Sequence, residues 1–149
     1  CDGICSTLIM KRFLERCGAR VEFYLPSRQD DGYGICSHHV ERAVQESFDL
    51  IITVDNGITA FQAVETAHSL GIDLVITDHH EPQDKIPETL LVDPKLPGAV
   101  CYREYSGAGV AYLTCCAVAQ LLQRPEPEDF LDLVSLATVV DVCPITGDN

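Results

Sequence analysis

The sequence predicts an α/β protein: a doubly wound, mostly parallel sheet with helices on both faces. Three observations carry this. Segments with helical spacing alternate with short apolar segments along the chain. The apolar segments at 48–54 and 72–77 are near-continuous, as in strands buried on both faces, and not alternating as in half-exposed ones. Each of these two segments stops on a polar cluster, Asp55-Asn56-Gly57 and Asp78-His79-His80. In open parallel sheets, ligands bind beyond the carboxyl ends of the strands.

The elements follow in order. Ile4, Leu8, Ile9, Phe13 and Leu14 recur at helical spacing over 3–17, and Gly18 is placed to end that helix. Residues 21–25 alternate like a strand and stop at Pro26. A polar, glycine-containing loop covers 27–34, and 38–47 reads as a short helix before the strand at 48–54. Ile58, Phe61, Ala63, Val64, Ala67 and Leu70 mark a helix stopped by Gly71, and the strand at 72–77 follows. Leu90 to Val92 is a short strand ended by Asp93 and Pro94. Helices are expected over 107–122 and 130–142, joined by the Pro-containing linker 124–129. The chain has no internal repeat and no low-complexity tract.

A length of 149 residues fits a single domain with one core. The net charge of −13 argues against a basic surface that coats phosphates. Clustered carboxylates can instead hold cations, which invert the local electrostatics. No apolar stretch approaches the roughly 20 residues needed to cross a bilayer, so no membrane role is expected. The chain opens on Cys1-Asp2-Gly3, with neither an initiator Met nor a secretory signal, and is expected to be a piece of a longer protein. None of its eight cysteines forms a C-x-x-C pair, and Cys17, Cys115 and Cys116 sit in helical apolar runs as small hydrophobes. Cys36, His38 and His39 lack a second ligand pair at zinc spacing. Reduced thiols without a signal point to the cytoplasm.

The chemistry is expected at the sheet edge. Asp55 and His79 follow two strands, Asp141 ends the last helical run, and Asp2 opens the first helix as it would just after a strand. Asp55-Asn56-Gly57 alone is an ordinary turn or cap, Asp78-His79-His80 alone could be a helix N-cap with surface histidines, and Asp141 alone could be a solvated acid. Their coincidence at one edge is the signal. Carboxylates and imidazoles without thiolate suit Mn²⁺, with Mg²⁺ favoured as oxygen ligands take over. One carboxylate can bridge two ions about 3.5–4 Å apart, the spacing used for in-line phosphoryl transfer.

Seven stretches in order carry a family resemblance: CDGICS (1–6), GYG (32–34), ITVDNGI (52–58), VITDHHEP (75–82), VDPKL (92–96), SGAGVAY (106–112) and LATVVDVCPITGDN (136–149). The sequence resembles the DHH phosphoesterase superfamily and, within it, the RecJ-type single-strand-specific exonucleases. The resemblance implies a roughly five-stranded doubly wound sheet. It also implies a pair of Mn²⁺ or Mg²⁺ ions hydrolysing a phosphodiester. By the same resemblance Asp55 bridges the ions, and Asp2 is the last aspartate of the family's first motif, Asp-x-Asp-x-Asp-Gly. His79 and Asp141 join Asp2 and Asp55 around one ion. His80 lies by metal and scissile phosphate, and Asp78 orients an imidazole. Arg28 is a candidate phosphate contact.

The implied activity is 5′→3′ degradation of single-stranded DNA in repair and recombination, with a single-strand-binding protein as a plausible partner. The family's further first-motif aspartates, first strand and second domain would lie outside these residues, so little activity is expected of them alone. Sister activities on short oligonucleotides, cyclic dinucleotides or pyrophosphate, and a non-catalytic scaffold of the same fold, remain alternatives.

Overall fold

The computed structural model describes residues 1–26 and 34–149. The elements are α1 (Asp2–Arg16), α2 (Ser37–Gln45), β1 (Leu50–Val54), α3 (Phe61–Leu70), β2 (Asp73–Thr77), β3 (Leu90–Val92), α4 (Gly107–Leu121), a 3₁₀ turn (Glu128–Phe130) and α5 (Leu131–Val140). The strands are parallel in the order β1-β2-β3. Helices cover both faces. Ile52 and Val54 pack into a core with Cys5, Ile9, Phe13, Ala111, Cys115 and Ala137, contributed by α1, α4 and α5. Ile51, Leu74 and Ile76 point the other way, onto Val40 of α2 and Ala63, Val64 and Ala67 of α3. The side-chain alternation of β1 therefore feeds two separate apolar cores, which is why that strand reads as a near-continuous apolar run.

Register decides where the site falls. Val54 pairs with Thr77, and Thr77 with Val92. The next residues, Asp55, Asp78 and Asp93, therefore leave the sheet side by side. The Asp78 N–H donates to the Val92 carbonyl at 3.0 Å, and the Thr77 hydroxyl to the Thr53 carbonyl at 2.8 Å, so the three strand ends are tied together.

Residues 21–25 form no strand, and the described residues hold a sheet of three strands, not roughly five. The alternating pattern there is a local signal, but a strand exists only through a neighbour's backbone. None pairs with it among the described residues, and Phe23, Tyr24 and Leu25 are exposed. The helix expected from Ile58 begins at Phe61, because Gly57 adopts φ +119° and its carbonyl accepts from the Ala60 N–H in a tight turn. The last helix closes at Val140, followed by Val142 with φ +58°. The other helix ends agree within one or two residues.

Candidate metal centre

The N-termini of two helices meet the end of β1. Asp2, the first residue of α1, is buried; its Oδ2 accepts from the Gly107 N–H at 2.7 Å and its Oδ1 from the Ala108 N–H at 2.8 Å. These are unpaired donors of the first turn of α4, where the helix dipole also favours an anion. The Ser106 hydroxyl caps the same helix by accepting from the Gly109 N–H. Burial pushes the Asp2 carboxyl above the usual carboxylate range, and the neighbouring Asp55 charge adds to this, against the two N–H donors and His79.

Asp55 adopts φ +58° directly after β1. Its side chain lies against two glycines. A Cβ on Gly107 would stand 2.6 Å from the Asp55 Cβ, and one on Gly3 would stand 3.1 Å from its Oδ2. The turn behind it is closed by the Thr53 hydroxyl donating to the Asn56 carbonyl and the Asn56 amide donating to the Val54 carbonyl.

His79 draws the carboxylates together. Its Nε2 lies 2.9 Å from Asp55 Oδ1, 3.7 Å from Asp2 Oδ2 and 3.8 Å from Asp141 Oδ2. Its Nδ1 lies 2.9 Å from the Tyr105 carbonyl oxygen. A carbonyl only accepts, so Nδ1 carries a proton and donates it. Nε2 then presents its lone pair to three carboxylates, an arrangement that only a cation relieves: a second proton on the ring, or a metal ion. Without metal the ring takes the proton. Burial works against this, but the hydrogen bond to Asp55 and the charges of Asp55, Asp2 and Asp141 prevail and raise the His79 pKa.

Asp78 is 1 % exposed and wholly occupied. Its Oδ2 accepts from the Ile58 N–H at 2.9 Å; its Oδ1 accepts from the His79 N–H at 2.8 Å and lies 2.6 Å from His80 Nδ1. Burial alone would raise its pKa, but His80 and the N–H donors outweigh that and lower it. The hydrogen bond to Asp78 in turn raises the pKa of His80. His80 therefore donates through Nδ1 and turns its Nε2 away from Asp78. Asp141 caps the C-terminus of α5, and the Cys143 thiol faces its Oδ2 at 3.5 Å. Burial, then Asp141, push that thiol up to about 11.

Ligand atoms of Asp55, His79 and His80, and those of Asp2, His79 and Asp141, lie within 4.8 Å of one another. The five residues that the sequence assembled from four separate segments thus meet at one edge. The donor set, carboxylate oxygens with two imidazoles, is that of a divalent cation site. Arg28 lies outside the described residues. Sequence reasoning missed two contributors. Tyr105 acts through its carbonyl, which no side chain announces. Asp93 leaves β3 buried, with an Oδ2 that has no hydrogen-bond partner among the described residues; its signal was the one already used for Asp55 and Asp78, an acid directly after a strand.

A parallel sheet edge that gathers carboxylates and imidazoles around one imidazole nitrogen marks a class of divalent-cation centres in α/β proteins. The chain belongs to the DHH family: the family's N-terminal domain matches residues 1–138. It is 38% identical over 150 residues to the single-stranded-DNA-specific exonuclease RecJ of Bacillus subtilis, covering 99% of this chain and 19% of that protein. With RecJ of Thermus thermophilus it shares 36% identity over 148 residues, 99% of this chain and 22% of that one. Among solved structures, exonuclease RecJ bound to manganese superposes with a TM-score of 0.90 at 36% identity, covering 98% of this chain and 37% of that one. RecJ of Thermus thermophilus in complex with Mn²⁺ gives 0.84 at 33% identity, covering 98% and 21%. The chain thus spans about a fifth of the length of these curated relatives.

Proposed function

We propose that this chain is the metal-binding DHH unit of an exonuclease that hydrolyses phosphodiester bonds of single-stranded DNA with Mn²⁺ or Mg²⁺. One observation carries the reading: a buried imidazole whose Nδ1–H is held by a carbonyl and whose Nε2 faces three carboxylates. The likeness to RecJ exonucleases supplies the substrate class. By the family resemblance, Asp55, whose Oδ1 lies 2.9 Å from His79 Nε2, would hold both ions. Asp2, His79 and Asp141 complete one ligand set. His80 stands at the substrate side, and Asp78 holds its ring. Bound ions would supply Lewis acidity toward a phosphoryl oxygen and a lowered pKa for water. The protein's own part is to hold the carboxylates against mutual repulsion, to hold the Nδ1 atoms of His79 and His80 on Tyr105 and Asp78, and to keep Asp78 ionised. Arg28 stays a candidate phosphate contact. The 5′→3′ polarity, a cytoplasmic location and a single-strand-binding protein as partner belong to the same reading. No described helix is long and apolar enough to cross a membrane.

The test, on the full-length protein that carries this unit, is calorimetric titration with Mn²⁺, followed by hydrolysis of end-labelled single-stranded and duplex DNA, a cyclic dinucleotide and pyrophosphate. Metal-dependent loss of the single strand alone is expected. Turnover confined to the small substrates moves the protein to a sister activity, and absence of Mn²⁺ binding overturns the metal centre.

A further inference from the structure

A chain of net charge −13 that closes five aspartates around one edge needs a cation there before a phosphodiester strand can approach. Lys95 is a candidate beside it. Arg16 pairs with Asp129, Arg42 with Glu46, Arg20 with the carbonyls of Glu46 and Ser47, and Arg124 with the Arg16 carbonyl, all away from the cluster. Lys95 alone among these ion-paired cations reaches a residue that adjoins the histidines: its ammonium lies 3.4 Å from Glu81, directly after His80.

We propose that Lys95 binds a backbone phosphate of the nucleic-acid strand at this centre and that Glu81 occupies its ammonium until the strand arrives. The inference rests on the proposed function. Two features support it. First, the backbone of Lys95 is fixed on both sides: its N–H donates to Asp93 Oδ1 at 2.8 Å, and Arg103 Nη2 donates to its carbonyl at 3.1 Å. Second, its side chain is only 16% exposed, yet the carboxylate it meets is 74% exposed. A lysine is seldom so covered without a firm partner, and a solvated carboxylate at that distance is readily exchanged for a phosphate. A flexible ammonium suits a phosphate met as a point charge, without the bidentate geometry that calls for arginine.

The experiment uses the Mn²⁺-loaded full-length protein that carries this unit and a labelled single-stranded decamer, with KM, kcat and Mn²⁺ affinity measured over a salt series. Lys95→Gln is expected to raise KM about tenfold with kcat changed far less, and to reduce the slope of log KM against log salt by about 0.7, the counterion release of one single-strand phosphate contact. Lys95→Arg should restore the slope. Glu81→Gln, at an exposed position, should lower KM by about two- to threefold by freeing the ammonium. An unchanged slope and KM in Lys95→Gln overturn the inference. A parallel fall in Mn²⁺ affinity also overturns it, by making Lys95 a charge balance for the acids. A wild type that binds Mn²⁺ but takes no strand overturns the function reading itself.

Discussion

Two pairs of adjacent histidines lie in this chain, and they behave in opposite ways. His79 and His80 follow β2; His38 and His39 open α2. The rings of each pair are close, with centroids 4.5 Å and 3.9 Å apart. Both pairs even meet a ligand-like neighbourhood, since Cys36, His38 and His39 also bring ligand atoms within 4.8 Å. The difference lies in the partner of Nδ1. His79 Nδ1 faces the Tyr105 carbonyl, which only accepts. His39 Nδ1 accepts the Cys36 N–H at 3.0 Å in a capping box. In a neutral ring the first frees Nε2 as a lone pair; the second puts the proton on Nε2. Proximity of ligand types is therefore not enough. The group behind the ring decides whether an imidazole can take a metal or only cap a helix.

The largest effect that would break this contrast is expected at Asp55. Asp55→Ala should lower Mn²⁺ affinity by more than about 100-fold, beyond the 10–100-fold cost of losing a supporting group, because it removes the carboxylate nearest His79 Nε2. Titration calorimetry reads this, and wild-type affinity in the variant would refute the ligand assignment. Asp78→Asn should cost roughly 10–100-fold in Mn²⁺ affinity or hydrolysis while the fold persists, since it loosens His80 and the turn holding His79. Circular dichroism alongside the titration separates the two effects.

A smaller effect is expected from pH in metal-free protein. The raised pKa values of His79 and His80 contribute stability that is fully present below their ordinary value of 6.5 and lost as pH rises through the folded values. Asp2, also raised, first by burial, acts in the same direction. Asp78 is lowered, so its contribution is present above 3.8 and lost as pH falls through its folded value. With chelator present, the melting temperature should peak between about pH 4 and 6.5 and fall by a few degrees toward pH 8. Added Mn²⁺ should reverse that fall, because metal competes with the proton on His79. A melting temperature that keeps rising to pH 8 without metal would contradict the cation-deficient geometry.

The smallest effect sharpens the other half of the contrast. His39→Ala should leave Mn²⁺ affinity unchanged within about twofold and cost about 1 kcal/mol or less in a denaturant melt, the worth of a helix cap.

Much of the edge was legible because parallel strands read as apolar runs and their ends are marked by polar residues. Asp55 and Asp78 each follow such a run, and the register places them side by side. The segment 21–25 shows the limit of the same logic. Its alternation resembles that of a strand, yet pairing is a relation between two backbones, and a sequence window describes only one. The helix expected from Ile58 starts later, after the Gly57–Ala60 turn, and the Ile58 N–H in that turn is held by Asp78, twenty positions away in sequence and on another strand end.

By itself, the sequence determined the α/β class, the helix faces and the set of acids and imidazoles bound for one edge, since periodicity and strand-end chemistry are local properties. Only the tertiary structure decided which nitrogen of His79 faces the carboxylates, that Asp2 is pinned by the first turn of α4, and that Lys95 leans on Glu81. Those depend on a carbonyl from Tyr105, on N–H groups 105 and 106 positions from Asp2, and on the segments after β2 and β3 meeting. Hydrogen bonds hold only over a few tenths of an ångström, and such distances are set by packing between elements that no window of sequence contains together.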